Sequence, residues 1–115
     1  MCVLNIFMPE ESIFLDVVGD SPTMRILQYL IEGRDFDYTL TDLTNAGVSW
    51  GTLHTIFPKL LKYKLVIKVR EVGRAKLYKI NKDNIFAKKL IELYNVLVQK
   101  SLEAEKKKLE ITMTV

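Results

Sequence analysis

The side chains able to do covalent or metal chemistry are few. The chain has one cysteine, Cys2, and one histidine, His54, far apart in the sequence. They cannot supply the four nitrogen and sulfur ligands of an ordinary zinc site, and a lone cysteine closes no intrachain disulfide. The carboxylates near the start, Glu10, Glu11, Asp16 and Asp20, show no spacing suited to paired acid–base work. No glycine-rich phosphate loop is present, nor a nucleophile beside a base and an orienting group. The expectation is therefore no enzyme, no catalytic residue, no metal and no cofactor. Cys2, among apolar neighbours, reads as inert, and Met8 offers a second candidate start.

What the chain does concentrate is basic and hydroxyl chemistry. Ser49, Trp50, Thr52, His54, Thr55, Lys59 and Lys62 fall in one short stretch, followed by Lys68, Arg70, Arg74 and Lys76. Lysine and arginine neutralise phosphates, hydroxyls near a helix start reach them readily, and Trp or His can meet a base edge or a sugar. Residues 1–40 carry a net −5, residues 41–80 a net +6 and the remainder +2. A basic middle behind an acidic start has the form of a polyanion footprint, against the plainer reading of an unevenly charged solvated face.

These residues need elements to hold them. Pro9 to Val18 reads as a short helix closed by Gly19. Ser21 and Pro22 then open a second helix, with Met24, Ile26, Leu27, Leu30 and Ile31 on one face and Gly33 at its end. Phe36 to Leu40 leans toward a minor strand, and Thr41 precedes a brief helix over Asp42 to Ala46. Gly47 breaks that helix, and Ser49 caps another over Trp50 to Lys62, with Leu53, Phe57 and Leu60 turned to the core. Pro58 inside this run predicts either a kink near Phe57 or an early end. Leu65 to Val72 and Ala75 to Ile80, joined by Gly73-Arg74, read as a β-hairpin. Asn81, Asp83 or Asn84 caps a last helix to about Glu110, roughly 39 Å long at ~1.5 Å per residue, and Ile111 to Val115 is expected to fray. This helix carries two apolar stripes: Phe86, Leu90, Leu93 and Leu97, beside Ala87, Ile91, Tyr94 and Val98.

The expected fold is mainly α with a small β-hairpin: a helix-turn-helix through Ala46-Gly47-Val48-Ser49, a basic wing, and a long C-terminal helix for dimerisation. Residues 1–20 form an N-terminal segment, 21–81 the winged helix-turn-helix and 82–115 the dimerisation helix. Gly19-Asp20-Ser21-Pro22, Thr39 to Leu43, Ala46 to Trp50 and Val72 to Ile80 together resemble archaeal winged-helix regulators of the broad ArsR/MarR-like group. That resemblance implies a helix from Ser49 in the major groove and a hairpin on the flanking backbone or minor groove. It also marks departures: a shortened stretch between Leu43 and Gly47, Thr55 where many relatives carry Arg, and Lys64 in place of a helix-ending glycine.

The expectation is a sequence-specific regulator of double-stranded DNA, acting as a homodimer. Its DNA-facing residues are Ser49, Trp50, Thr52, His54, Thr55, Lys59, Lys62, Lys68, Arg70, Arg74 and Lys76. Ala87, Ile91, Tyr94 and Val98 form the dimer interface. No apolar run approaches the ~20 residues that span a bilayer, so a cytoplasmic, nucleoid-associated protein is expected, with no membrane partner; no metal or redox trigger for an effector is visible. The alternative is a winged-helix docking module within a larger nucleoprotein assembly. Lys106 to Lys108 reads as a solvated helix end.

Overall fold

Helix α1, Pro9–Val18, ends where Gly19 turns left-handed at φ +98° and its N–H reaches the Leu15 carbonyl at 2.7 Å. The computed structural model describes the backbone of residues 9–114 and the side chains of residues 13–107, so the readings on Met1 to Met8 and Cys2 lie outside it. Helix α2, Pro22–Glu32, begins as its sequence dictates. Ser21 accepts from the Met24 N–H at 3.2 Å, and Pro22 occupies a first-turn position that needs no donor. Gly33 follows for a steric reason: a Cβ there would run into the hydroxyl and ring of Tyr38, which packs edge-on against Tyr29.

The next segment departs from expectation. Phe36 to Leu40 supplies only one bridge, Tyr38 to Tyr78, in place of a strand. Helix α3 is Leu40–Leu43 and passes into a 3-10 turn over Thr44–Ala46, rather than running from Asp42. The cause is a reciprocal cap. The Thr39 hydroxyl accepts from the Asp42 N–H, and the Asp42 carboxylate accepts from the Thr39 N–H, which fixes the helix start two residues earlier than Thr41 alone implied. Gly47, at φ +84°, then makes the turn into helix α4, Trp50–Lys62.

Pro58 lies inside α4 and the helix continues through it; its ring has no N–H to offer the His54 carbonyl. After the cap at Tyr63 the chain turns away at Lys64, the one non-glycine residue described with positive φ (+60°). There the Leu65 N–H donates to the Leu60 carbonyl and the Lys64 N–H to the Leu61 carbonyl, the paired bonds of a Schellman ending. The amides of Asn81 and Asn84 donate to the Lys64 and Tyr63 carbonyls, tying the base of the hairpin to the end of α4.

Strands β1, Val66–Val72, and β2, Ala75–Ile80, pair antiparallel across Gly73-Arg74. Gly73 alone has positive φ in that turn, the pattern that lets a two-residue loop follow the twist of its strands. The register slips between Lys68 and Arg70, leaving Val69 as a bulge. Helix α5, Ile85–Thr114, starts at Asn84, whose side-chain oxygen accepts from the Phe86 and Ala87 N–H groups. It extends past Glu110 through Thr114, so residues 111–114 are helical rather than frayed.

One core joins these pieces. Phe14 of α1, Ile26, Leu30 and Ile31 of α2, Leu43, Leu53 and Phe57 of the helix-turn-helix, Val66 and Ile80 of the hairpin and Ala87 of α5 are all buried. Each large side chain so buried contributes roughly 1.5–3 kcal/mol of transfer free energy. Among the described residues, no helix is long and apolar enough to cross a membrane.

The two stripes of α5 divide differently from the expected partition. Ala87 is fully covered by its own chain, which corrects its assignment to a partner-facing stripe. Tyr94 also turns inward: its ring meets Phe14 edge-on at 5.5 Å and its hydroxyl donates to Glu32 Oε2 at 2.8 Å. Ile91 packs partly on the same core, as do Leu90, Leu93 and Leu97. Phe86, by contrast, is 68% exposed, and Val96 and Leu102 are half-exposed.

Candidate nucleic-acid interface

Helix α4 is amphipathic because its apolar residues recur at helical spacing. Leu53, Phe57 and Leu60 are buried, and the opposite side carries His54, Thr55, Lys59 and Lys62 to solvent. At its head Ser49 Oγ accepts from the Thr52 N–H and donates to Thr52 Oγ1 at 2.8 Å. The two hydroxyls thus sit together at the positive end of the helix dipole. Thr55 donates its hydroxyl back to the Gly51 carbonyl. Trp50 is 49% exposed, and its ring meets His54 edge-on at 4.5 Å, so it does not pack beneath the turn. Lys62 reaches back over the Tyr63 ring at 5.6 Å.

The wing sorts its cations by strand. On β1, Lys68 Nζ lies 2.8 Å from Glu71 Oε1, and Arg70 grips Asp37 with two bonds of 2.7 and 3.2 Å. These contacts hold the Asp37 and Glu71 carboxyls below their ordinary values, chiefly through the hydrogen bonds themselves. Both cations were expected along phosphates; the structure instead answers each with a carboxylate. At the tip and on β2, Arg74 and Lys76 are exposed and, among the described residues, form no ion pair, although Glu71 lies opposite Lys76 in the register and its carboxyl is lowered slightly by it. The bulge contributes to this sorting. It advances β1 by one residue, and Arg70 past it bonds Asp37 on the segment between α2 and α3.

An open cleft of about 310 Å3 lies where the helix-turn-helix meets the wing. Leu40, Thr41 and Trp50 face Arg74, Lys76 and Tyr78 across it, and no carboxylate lines it. The cleft therefore has two cations outside any ion pair, a half-exposed indole and the hydroxyl-bearing Thr39, Thr41 and Tyr78 on a partly apolar floor. Of the residues singled out from the sequence, Trp50, Arg74 and Lys76 come together here. Ser49, Thr52, His54, Thr55, Lys59 and Lys62 lie along α4, and Lys68 and Arg70 are drawn into ion pairs. Thr41 was not foreseen as part of the site, nor Asp37 as the counter-ion of Arg70. Arg70 and Asp37 lie far apart in the chain, and only the fold reveals their contact. Among the described residues, no group of three or more potential ligands could hold a metal ion.

Comparison with solved structures places this architecture among known ones. The chain superposes on NadR in complex with 4-hydroxyphenylacetate with a TM-score of 0.62 at 21% identity, over 97% of this chain and 79% of that one. MepR, a transcription regulator of the Staphylococcus aureus multidrug efflux pump MepA, gives 0.59 at 15% identity over 97% and 89% of the two chains. The S. aureus MepR–DNA complex gives 0.57 at 16%, over 98% and 92%. No family model matches the sequence, and no curated protein compared with it matches. The fold is winged-helix and MarR-like: mainly helical, with a two-stranded antiparallel hairpin and a long C-terminal helix.

Proposed function

We propose that this chain is a sequence-specific regulator of transcription that binds double-stranded DNA as a homodimer. The observation that carries the reading is the cleft, where the exposed head of α4 and two unpaired wing cations share one face. In this reading α4 enters the major groove, with Ser49, Thr52, His54, Thr55, Lys59 and Lys62 toward bases and phosphates. Arg74 and Lys76 take the flanking backbone, and Arg74 at the tip reaches the minor groove, where the negative potential favours it. The fold shared with MepR, which has been solved bound to DNA, supports the same geometry. Selection of bound fragments from random duplex DNA with the purified protein tests it: a palindromic site is expected. If the dimer meets about six phosphates, log affinity against log salt should slope near −5. A slope near zero would sink the reading.

Dimerisation is assigned to the part of α5 beyond its own core. Val98 and the half-exposed Leu102 lie there, four residues apart on one face and past Leu97, which still packs on the domain. An apolar strip left bare on a monomer is uncommon, and a second α5 would cover it. Two copies so joined set their α4 helices to read half-sites about 34 Å apart. Val98→Glu with Leu102→Glu should give a folded monomer by sedimentation at micromolar concentration; a wild-type protein that is already monomeric there would refute the assignment.

The docking-module reading draws on a different observation, the exposed Ile67, Val69 and Val72 on β1. Heparin retention separates the two: a docking module passes through at low salt, and a DNA-binding protein is held.

A further inference from the structure

We infer that the cleft between the wing and the head of α4 binds a phosphate monoester carrying a flat ring, in size and charge a mononucleotide, and that this occupant and duplex DNA exclude each other. The exclusion rests on the DNA reading above; the binding does not.

The charge of the cleft is the first argument. Arg74 and Lys76 bring two formal positive charges to it; among the described residues neither forms an ion pair, Glu71 stands across the strands from Lys76 without bonding it, and no carboxylate lines the cleft. A phosphodiester in a nucleic-acid backbone carries one negative charge and neutralises half of that. A phosphate monoester carries about −1.5 to −2 near pH 7 and answers both cations at once. Arginine's planar fork matches phosphate oxygens in pairs, and lysine adds a point charge beside it. The Thr41 side chain on the opposite wall offers a hydroxyl to the same group.

The second argument is shape. The cleft, at about 310 Å3, falls at the small end of volumes that hold compact organic ligands. Leu40 and the half-exposed Trp50 line it from the helices, and Ala75 and Tyr78 from the wing beside the two cations, so apolar and aromatic groups share the cleft with the charge. Exposed indoles stack bases of any identity because every base presents a π-face. A bare phosphate would leave that surface wet, and an uncharged ring would leave the cations unanswered.

Exclusion of DNA follows from position. Trp50 heads α4 and Arg74 is the wing tip, so a nucleotide held between them stands where a duplex must pass to reach both. The cleft thus gives the protein a way to respond to the supply of small phosphorylated metabolites.

Trp50 is the only tryptophan in the chain, so its emission reports on the cleft directly. Titration of the protein with adenosine 5′-monophosphate should quench it saturably. Adenosine and ribose 5-phosphate, each lacking one half of the ligand, should bind at least about tenfold more weakly. Arg74→Ala and Lys76→Ala should each weaken the nucleotide about tenfold, whereas Lys107→Ala on α5 should leave it unchanged. Absence of saturable quenching, or equal affinity for ribose 5-phosphate and the nucleotide, overturns the inference. A fluorescent duplex with 5′-hydroxyl ends should be displaced as nucleotide is added. A duplex that binds yet is not displaced by bound nucleotide refutes the exclusion. Failure of nucleotide binding with DNA binding intact refutes the site and leaves the DNA reading standing.

Discussion

The two strands of the wing carry similar numbers of cations and put them to opposite use. On β1, Lys68 and Arg70 are each held by a carboxylate, and the apolar Ile67, Val69 and Val72 face solvent. On β2, Tyr78 and Ile80 are buried, while Lys76 and the neighbouring tip residue Arg74 stay unpaired. A charge count treats these four alike, together with Lys79 of β2, whose charge is felt by Asp35 and Asp37. The folded hairpin does not, because a cation whose field is already cancelled by a neighbour attracts a phosphate weakly. What draws a polyanion is the charge not held by a bond to an acid, and on the hairpin that charge is greatest at the tip, on Arg74, and beside it on Lys76.

The sharpest test removes each pair in turn. Arg74→Ala with Lys76→Ala should lower duplex affinity about a hundredfold at fixed salt, two charge-assisted contacts per protomer being lost. Thermal stability should hold, since both side chains are exposed. Lys68→Ala with Arg70→Ala should lower affinity by no more than about threefold, each charge having been met already by an acid. Equal losses from the two doubles, measured by titration under the same salt, would dissolve the contrast.

A smaller effect is expected at the joint that delivers β1. Lys64 adopts a left-handed conformation that an L side chain resists, so Lys64→Gly should stabilise the fold by about 1 kcal/mol. An unchanged denaturant midpoint would show that the strain is offset elsewhere. The smallest effect comes from releasing Arg70. Asp37→Asn should raise non-specific DNA affinity about threefold, as one more cation becomes available to a phosphate. Acid does the same reversibly. The Asp37 carboxyl titrates below its ordinary 3.8 because Arg70 bonds it, so the pair's contribution is fully present above that value and lost as pH falls through the lower folded one. Protection of wing amides relative to their intrinsic exchange rate, followed downward from pH 5, should fall only below pH 4; loss of protection well above it would assign the anchoring to other groups.

The order of elements was legible because each boundary has a local cause. Ser21 with Pro22, Gly47 with Ser49, and Gly73 at the hairpin are chemical statements about single residues, and the structure repeats them. The start of α3 was legible too, in Thr39 and Asp42 three apart, but the β-leaning composition of Phe36 to Leu40 hid it. The register slip at Val69 and the pairing of Arg70 with Asp37 have no local signature, since both depend on segments brought together by the core. The division of α5 failed for a related reason. Periodicity shows that two apolar stripes exist, whereas which of them meets Phe14 and Glu32 depends on how α5 crosses α1 and α2.

The bulge at Val69 has one more consequence. The sheet ends at β1, since Tyr38 bridges to β2 on the other side, and β1 is therefore an open edge with aliphatic side chains exposed along it. A flat edge of that kind invites the same edge of another molecule, and stacking of this sort leads to insoluble fibres. An extra residue twists the strand out of any straight register, so that a second copy cannot pair along it. The insertion that carries Arg70 to Asp37 thus also helps to keep the protein in solution.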